Sequence, residues 1–104
     1  MDTLSSLVSQ TIHRQIGHRA FVMLGARNIV GGEDFLEFKI GRNPKRVSHI
    51  RVTLDRRTDS YTLRFFHVGR APTYPVTERD LVEGVYWDML RDVIENHTGL
   101  YTSL

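Results

Sequence analysis

The sequence predicts an α+β domain of two layers, in which an antiparallel meander of three to four strands packs an N-terminal and a C-terminal helix on one face. Three observations predict this fold. Apolar residues recur at helical spacing near both ends of the chain, they alternate with polar residues through its middle, and turn-forming residues separate the alternating segments. The 104 residues, 40% of them apolar, suit one domain over residues 1–104.

The first helix is predicted over residues 3–16. Thr3 suits its N-cap, and Gly17 suits the position after its last turn. Its apolar residues fall on one stripe, which should face the core. They are Leu4, Leu7, Val8, Ile12 and Ile16.

Residues 20–30 favour a strand because they are rich in β-branched and aromatic residues, with Gly25 marking a bulge or bend. Gly31 and Gly32 would then supply the positive φ values of a tight hairpin turn. Further strands are predicted over residues 35–40, 48–55 and 61–66, where the alternation is clean. The predicted buried face holds Leu36, Phe38, Ile40, Ile50, Val52, Leu54, Tyr61, Leu63 and Phe65.

The two prolines of APTYP, residues 71–75, are predicted to end the sheet. Thr77 and Asp80 have the spacing of a capping box, and apolar residues recur at helical spacing over residues 81–96. Gly84 weakens the first turn and would delay the helix to about Val85. The tail, residues 99–104, is apolar enough to dock on the domain. With the strands above, we expect Leu7, Met89 and Val93 to be buried together with the sheet.

The turns also predict a strand register. If Leu54 faces Tyr61 across the second hairpin, Arg51 lies opposite Arg64 on the outer face of the sheet. Like charges in that relation are unfavourable. If Phe38 faces Ile50, Glu37 lands beside Arg51, and we expect this one carboxylate to relieve both arginines.

Charge is distributed unevenly along the chain. The stretch KIGRNPKRVSHIRVTLDRR, residues 39–57, carries +6, while residues 71–104 carry −4. Such a bipolar chain can steer a charged partner or support head-to-tail self-association. Aromatic residues beside cations on an open sheet are typical of single-stranded nucleic-acid binders, although a solvated sheet face gives the same pattern. The candidate partner or nucleic-acid contacts are Lys39, Arg42, Lys45, Arg46, His49, Arg51, Arg64, Phe35 and Phe66.

Catalytic and metal chemistry find little support in the residues. None of the five histidines has a paired metal-ligand spacing, and no nucleophile elbow, phosphate loop or dinucleotide fingerprint is present. His49 and His67 lie on adjacent predicted strands but should point to opposite sides. We therefore expect no catalytic residue, cofactor or metal site.

The chain has no cysteine, which excludes a disulfide scaffold and thiolate zinc sites. Its longest apolar run, residues 20–24, is too short to span a bilayer. No basic leader followed by an apolar block opens the sequence. We therefore expect a soluble cytoplasmic protein with no membrane partner.

The segments DMLRDVIENHTGLYTSL, HRAFVMLGARNIV and FLEFKI resemble a group of small proteins encoded by bacteriophages, prophages and other mobile elements, over residues 11–104. The resemblance implies a setting in which small proteins act by binding, and it transfers no activity and no site residue. The leading expectation is a non-enzymatic binding module that engages a protein partner, such as a host or defence factor. The alternative is an RNA- or DNA-binding module that uses the open sheet face and residues 39–57. The order of elements also resembles a double-stranded RNA-binding domain, but TERDLVEG is acidic where that fold has a lysine cluster.

Overall fold

The computed structural model describes residues 6–102. Its strands form one open antiparallel sheet in the order β1-β2-β3-β4-β5. The α+β class is confirmed, but the described residues hold five strands and three helices where three to four strands and two helices were expected. In chain order the elements are α1 (Leu7–Ile16), α2 (His18–Leu24), β1 (Arg27–Gly31), β2 (Phe35–Lys39), β3 (His49–Asp55), β4 (Ser60–Val68), β5 (Val76–Val85), a 3-10 turn (Trp87–Met89) and α3 (Leu90–Thr98).

The register of the three central strands is the predicted one. Leu54 pairs with Tyr61 and Arg51 with Arg64 across β3 and β4. Phe38 pairs with Ile50 across β2 and β3, which sets Glu37 opposite Arg51. Alternation specifies this register because a slip of one residue would turn every apolar side chain to the other face.

The core joins the apolar face of the sheet to side chains from all three helices. Ile50, Val52, Leu63 and Phe65 are fully buried, as predicted, and Val93 is partly buried against them. The expectation for Leu7 and Met89 was wrong. Leu7, the first residue of α1, is 81% exposed, and Met89, in the turn before α3, is 42% exposed.

The N-cap of α1 is Ser6. Its hydroxyl accepts a hydrogen bond from the Ser9 amide (3.1 Å) and donates one to the Gly32 carbonyl (2.7 Å), which ties the helix to the β1–β2 turn. The predicted cap Thr3 and the stripe residue Leu4 lie outside the described residues. Gly17, with φ 93°, follows the helix as predicted.

The predicted strand over residues 20–30 was wrong, because residues 18–24 form α2. Ala20, Phe21 and Leu24 have helical spacing and are buried in the core shared with α1, so packing outweighs their β propensity. Gly25 does not mark a bulge, because it ends the helix in the left-handed conformation at φ 65°. β1 begins only at Arg27.

The β1–β2 hairpin is present, but neither Gly31 nor Gly32 has the positive φ that was expected. Gly32 is required for a different reason. A Cβ atom built on Gly32 would lie only 2.0 Å from the ring of Phe35, so the absence of a side chain lets that ring fold over the turn.

The expectation of a capping box and a helix from residue 81 was also wrong. Residues 71–75 connect two strands, since β5 occupies Val76–Val85, with Thr77 opposite His67 and Asp80 opposite Phe65. α3 begins only at Leu90. The sequence of β5 does not alternate between apolar and polar residues, because almost all of its residues are exposed and its register with β4 shifts twice. β1, at the other edge of the sheet, also has a register shift.

The tail docks on the domain as far as it is described. The Glu95 carboxylate accepts hydrogen bonds from the Thr102 amide (2.7 Å) and hydroxyl (2.9 Å). These donors lower the pKa of Glu95. Leu100 packs against the core and Thr102 is buried, whereas Tyr101 is 74% exposed. Residues 103–104 lie outside the described part.

Candidate anion-binding site

A basic recess of about 740 Å³ lies at the end of the sheet where β2 and β4 finish and β3 begins. Its lining contains no carboxylate side chain. Within residues 6–102, none of its lysines or arginines forms an ion pair. The ionisable residues that line it are Arg27, Lys39, Arg42, Arg46, His67 and Arg70.

The loop over residues 41–47 forms one wall of the recess, and Asn43 holds its shape. The Asn43 side chain is buried and donates to the carbonyls of Gly41 (2.9 Å) and Val47 (2.6 Å) while it accepts from the Val47 amide (3.1 Å). The Gly41 amide also bonds the Leu24 carbonyl (2.9 Å), which anchors the loop to α2. A loop ordered in this way loses little conformational entropy when a ligand binds.

Arg46 has a backbone φ of 57°, in the left-handed region that is unfavourable for a residue with a side chain. Two hydrogen bonds to Asn43 stabilise this conformation. The Arg46 amide donates to the Asn43 backbone carbonyl, and the Val47 amide donates to the Asn43 side-chain oxygen. Strained backbone of this kind is concentrated at functional sites, where the surrounding structure fixes it. Here it directs an arginine into the basic recess.

Ser48 fixes the opposite wall. Its hydroxyl accepts from the Val68 amide (2.8 Å) and lies 2.7 Å from His49 Nδ1. These contacts lock the start of β3 against the end of β4, which carries His67 and leads to Arg70. Burial lowers the pKa of His49, which disfavours its charged form.

The outer-face arginines differ from those of the recess because each has its own carboxylate. Arg51 Nε donates to Glu37 (2.8 Å), and Arg64 Nε donates to Glu78 (2.7 Å). The expectation that Glu37 relieves Arg51 is confirmed, but it was wrong that Glu37 alone relieves Arg64, since the hydrogen bonds of Arg64 go to Glu78 and Glu37 acts on it only at longer range. Glu78 comes from β5, in the segment predicted to open a helix, and its bond to Arg64 lowers the pKa of Glu78.

The outer-face aromatic residues are also engaged. The guanidinium carbon of Arg51 lies 4.1 Å from the centroid of Phe35, and that of Arg64 lies 4.4 Å from the centroid of Phe66. Phe66 is only 5% exposed and stacks on His49, with the ring centroids 5.3 Å apart. Phe66 was expected to be exposed, and it is not available as a platform for a nucleic-acid base.

The nine predicted contact residues therefore fall into three groups. Lys39, Arg42 and Arg46 line the basic recess. Lys45 lines a smaller cleft beside α3. The remaining five lie on the outer face of the sheet: Phe35, His49, Arg51, Arg64 and Phe66.

Sequence reasoning missed Arg27, His67 and Arg70. Arg27 lay inside a segment assigned wholly to one strand, and Arg70 lay in a connection that was expected to end the sheet. A signal was nevertheless present. In an antiparallel meander, alternate strands run in the same direction and finish at the same end of the sheet. Arg42, which follows β2, and Arg70, which follows β4, are therefore expected to lie close together.

Within residues 6–102, no three His, Asp or Glu side chains gather closely enough to hold a metal ion. No helix in this part of the chain has both the length and the apolar character needed to cross a membrane.

Comparisons with known proteins identify no family for this chain. No protein-family model matches it. No curated protein and no solved structure matches it significantly. The chemistry of the basic recess is therefore the basis on which its function is proposed.

Proposed function

We propose that this protein is a nucleic-acid-binding module that holds the sugar–phosphate backbone in the basic recess. The observation that carries the proposal is the set of five Lys and Arg side chains that share one concavity without a carboxylate. A bound anion relieves the mutual repulsion of such a group of like charges. Arginine also presents paired donors that match phosphate oxygens.

The distribution of charge supports a polyanion over a single small anion. Residues 39–57 carry +6 and residues 71–104 carry −4, so positive charge is concentrated in the part of the chain that supplies three of the five cations of the recess. The recess is also open and wide enough to accept more than one phosphate group. A polymer with regularly spaced charges uses both properties.

The engaged aromatic residues indicate what is recognised. Phe35 and Phe66 are covered by Arg51 and Arg64, so these rings do not stack on bases. Phosphate contacts position a nucleic acid but carry no sequence information. We therefore expect binding with little sequence preference and no chemical change in the ligand.

Fluorescence anisotropy with a labelled oligonucleotide tests the proposal. The affinity should fall steeply between about 50 and about 200 mM salt, because phosphate contacts release counterions. The double variant Arg42→Glu and Arg46→Glu should abolish binding. Arg56→Glu is the matched control, because Arg56 is an exposed cation in the turn at the opposite end of β3. The proposal fails if binding is absent, or if the double variant binds as well as the parent.

A second candidate function is engagement of a protein partner. The observation that favours it is the run of exposed apolar residues between β5 and α3, where Tyr86 and Trp87 are more than half exposed beside Met89. Contiguous exposed apolar surface is typical of protein interfaces. A pull-down with and without nuclease distinguishes the two functions. A discrete protein that survives nuclease treatment and is lost with Trp87→Ser would favour this second function.

A further inference from the structure

We propose that the nucleic acid is a single strand that crosses the loop of residues 41–47 and places a second phosphate in the cleft on the far side. This inference rests on the proposed function and names the ligand class. The cleft has a volume of about 220 Å³ and is lined by Lys45, Arg79, Asp80, Asn96 and His97. We call residues 41–47 the ridge, because they separate the basic recess from this cleft.

The ridge presents cations to both sides. Arg42 and Arg46 line the basic recess, whereas Lys45 lines the cleft. Asn43 fixes the ridge from within, as described above. Pro44 lies close to Gly99, the residue that follows α3, since a Cβ atom built on Gly99 would come within 3.3 Å of the Pro44 ring. The ridge is thus ordered by the Asn43 hydrogen bonds and lies beside the end of α3, between the two concavities.

Both oxygens of the one carboxylate in the cleft already have hydrogen-bond partners. Asp80 pairs with His97 Nδ1 through one oxygen and accepts the Leu81 amide (2.9 Å) through the other. The His97 ring is held in place by stacking on Phe65, with centroids 5.2 Å apart. Within residues 6–102, Lys45 and Arg79 have no ion-pair partner, so two cations remain for one phosphate.

The arrangement selects a flexible chain. A mononucleotide or inorganic phosphate would occupy only one concavity, while a strand can carry successive phosphates to both sides of the ridge. Duplex DNA has a persistence length of about 150 base pairs, so its backbone does not bend sharply over a protein loop. A single strand can follow the ridge from one concavity to the other, and it is therefore the better fit.

Binding measurements on strands of different length test this inference. Lys45→Ala and Arg79→Ala should each weaken binding of a strand of about 15 nucleotides several-fold. The double variant should reduce its log–log salt slope by roughly 0.7, the value expected for one phosphate contact on a single strand. Binding of a strand of about three nucleotides, which reaches only the recess, should be unchanged. Arg56→Ala should alter neither. Lys45 and Arg79 are exposed, so their variants should keep the parent's unfolding temperature.

The results separate this inference from the proposed function. If Lys45→Ala and Arg79→Ala change nothing while the Arg42 and Arg46 reversal abolishes binding, the ligand stays in the recess and the inference is overturned. Equal binding of a duplex and a single strand would also overturn it, with the proposed function intact. No binding of any oligonucleotide would overturn both.

Discussion

The outer face of the sheet and the basic recess use similar cations in opposite ways. On the outer face, Arg51 and Arg64 are each held by a carboxylate and by an aromatic ring. In the recess, cations from four parts of the chain meet without an ion-pair partner among residues 6–102. The difference teaches that a high density of positive charge in a sequence does not identify a contact surface. A contact surface is identified instead by cations that have no ion-pair partner within the fold.

The largest effect is expected from the core beneath both regions. Leu63 is fully buried and lies next to Arg64 on β4. Leu63→Ala should lower the free energy of unfolding by ~2–5 kcal/mol, because it removes buried methyl groups and leaves a cavity. Urea denaturation measures this loss. An unaltered midpoint would mean that the sheet holding both sets of arginines does not depend on this core.

The next largest effect should come from the ridge. Asn43→Ala removes the hydrogen bonds that shape the ridge and should cost about 1–3 kcal/mol, because buried backbone groups lose their partners. Oligonucleotide affinity should fall as well, since Arg42 and Arg46 lose their fixed positions. Denaturation and anisotropy are compared on the same sample. A variant that is destabilised yet binds like the parent would show that the recess needs charge but not order.

Removal of the outer-face carboxylates should have a smaller effect. Glu37→Gln and Glu78→Gln each release one arginine, and because both pairs are exposed to solvent screening, each should lower the unfolding temperature only slightly. The double variant leaves Arg51 and Arg64 facing each other without a counter-charge, so its cost should exceed the sum of the two. Thermal unfolding of the four proteins gives this coupling. Additive effects would show that the two pairs are independent.

The smallest effect concerns His49, which stacks on the outer face and touches the recess wall through Ser48. Burial lowers the pKa of His49 in the fold, and nearby Lys39 and His67 also lower it, while Glu37 raises it. The unfolded chain then binds the proton more readily. Stability should be full above about pH 6.5 and should decline as the pH falls below that value.

His49→Gln should flatten this decline, as measured by unfolding temperature between about pH 7.5 and about pH 5. Part of the decline should remain, because burial and His18 also lower the pKa of His13. His13→Gln is therefore the companion variant. A parent profile that is level across this range would contradict the assigned direction.

The central strands could be predicted in detail because each buries one face. Residues such as Val52 and Leu63 alternate with polar neighbours, so pattern and register are fixed together. Residues 18–24 could not be assigned in the same way. Their β propensity conflicts with their burial against α1, and a short apolar run carries no information about distant packing. β5 is nearly all exposed, so it shows no alternation to detect.

The recess could be predicted only in part for the same reason. Charge density identified Lys39, Arg42 and Arg46, which are close together in the sequence. Arg27 and Arg70 join them through the strand order and through the true bounds of β1 and β4, which differ from the predicted ones. Of the two partners of the outer-face arginines, only Glu37 was predicted. Glu78 was missed because it lies in β5, where a helix cap was predicted.

The two edge strands of the sheet, β1 and β5, affect how the protein behaves in a crowded cell. An open sheet exposes backbone donors and acceptors on which the chains of other copies can polymerise. Here the register shift in β1 and the two shifts in β5 interrupt the regular spacing of those groups. Glu78, Arg79, Asp80 and Glu83 add charge along one margin. The molecule should therefore resist fibril growth at concentrations at which a sheet with regular, uncharged edge strands would aggregate.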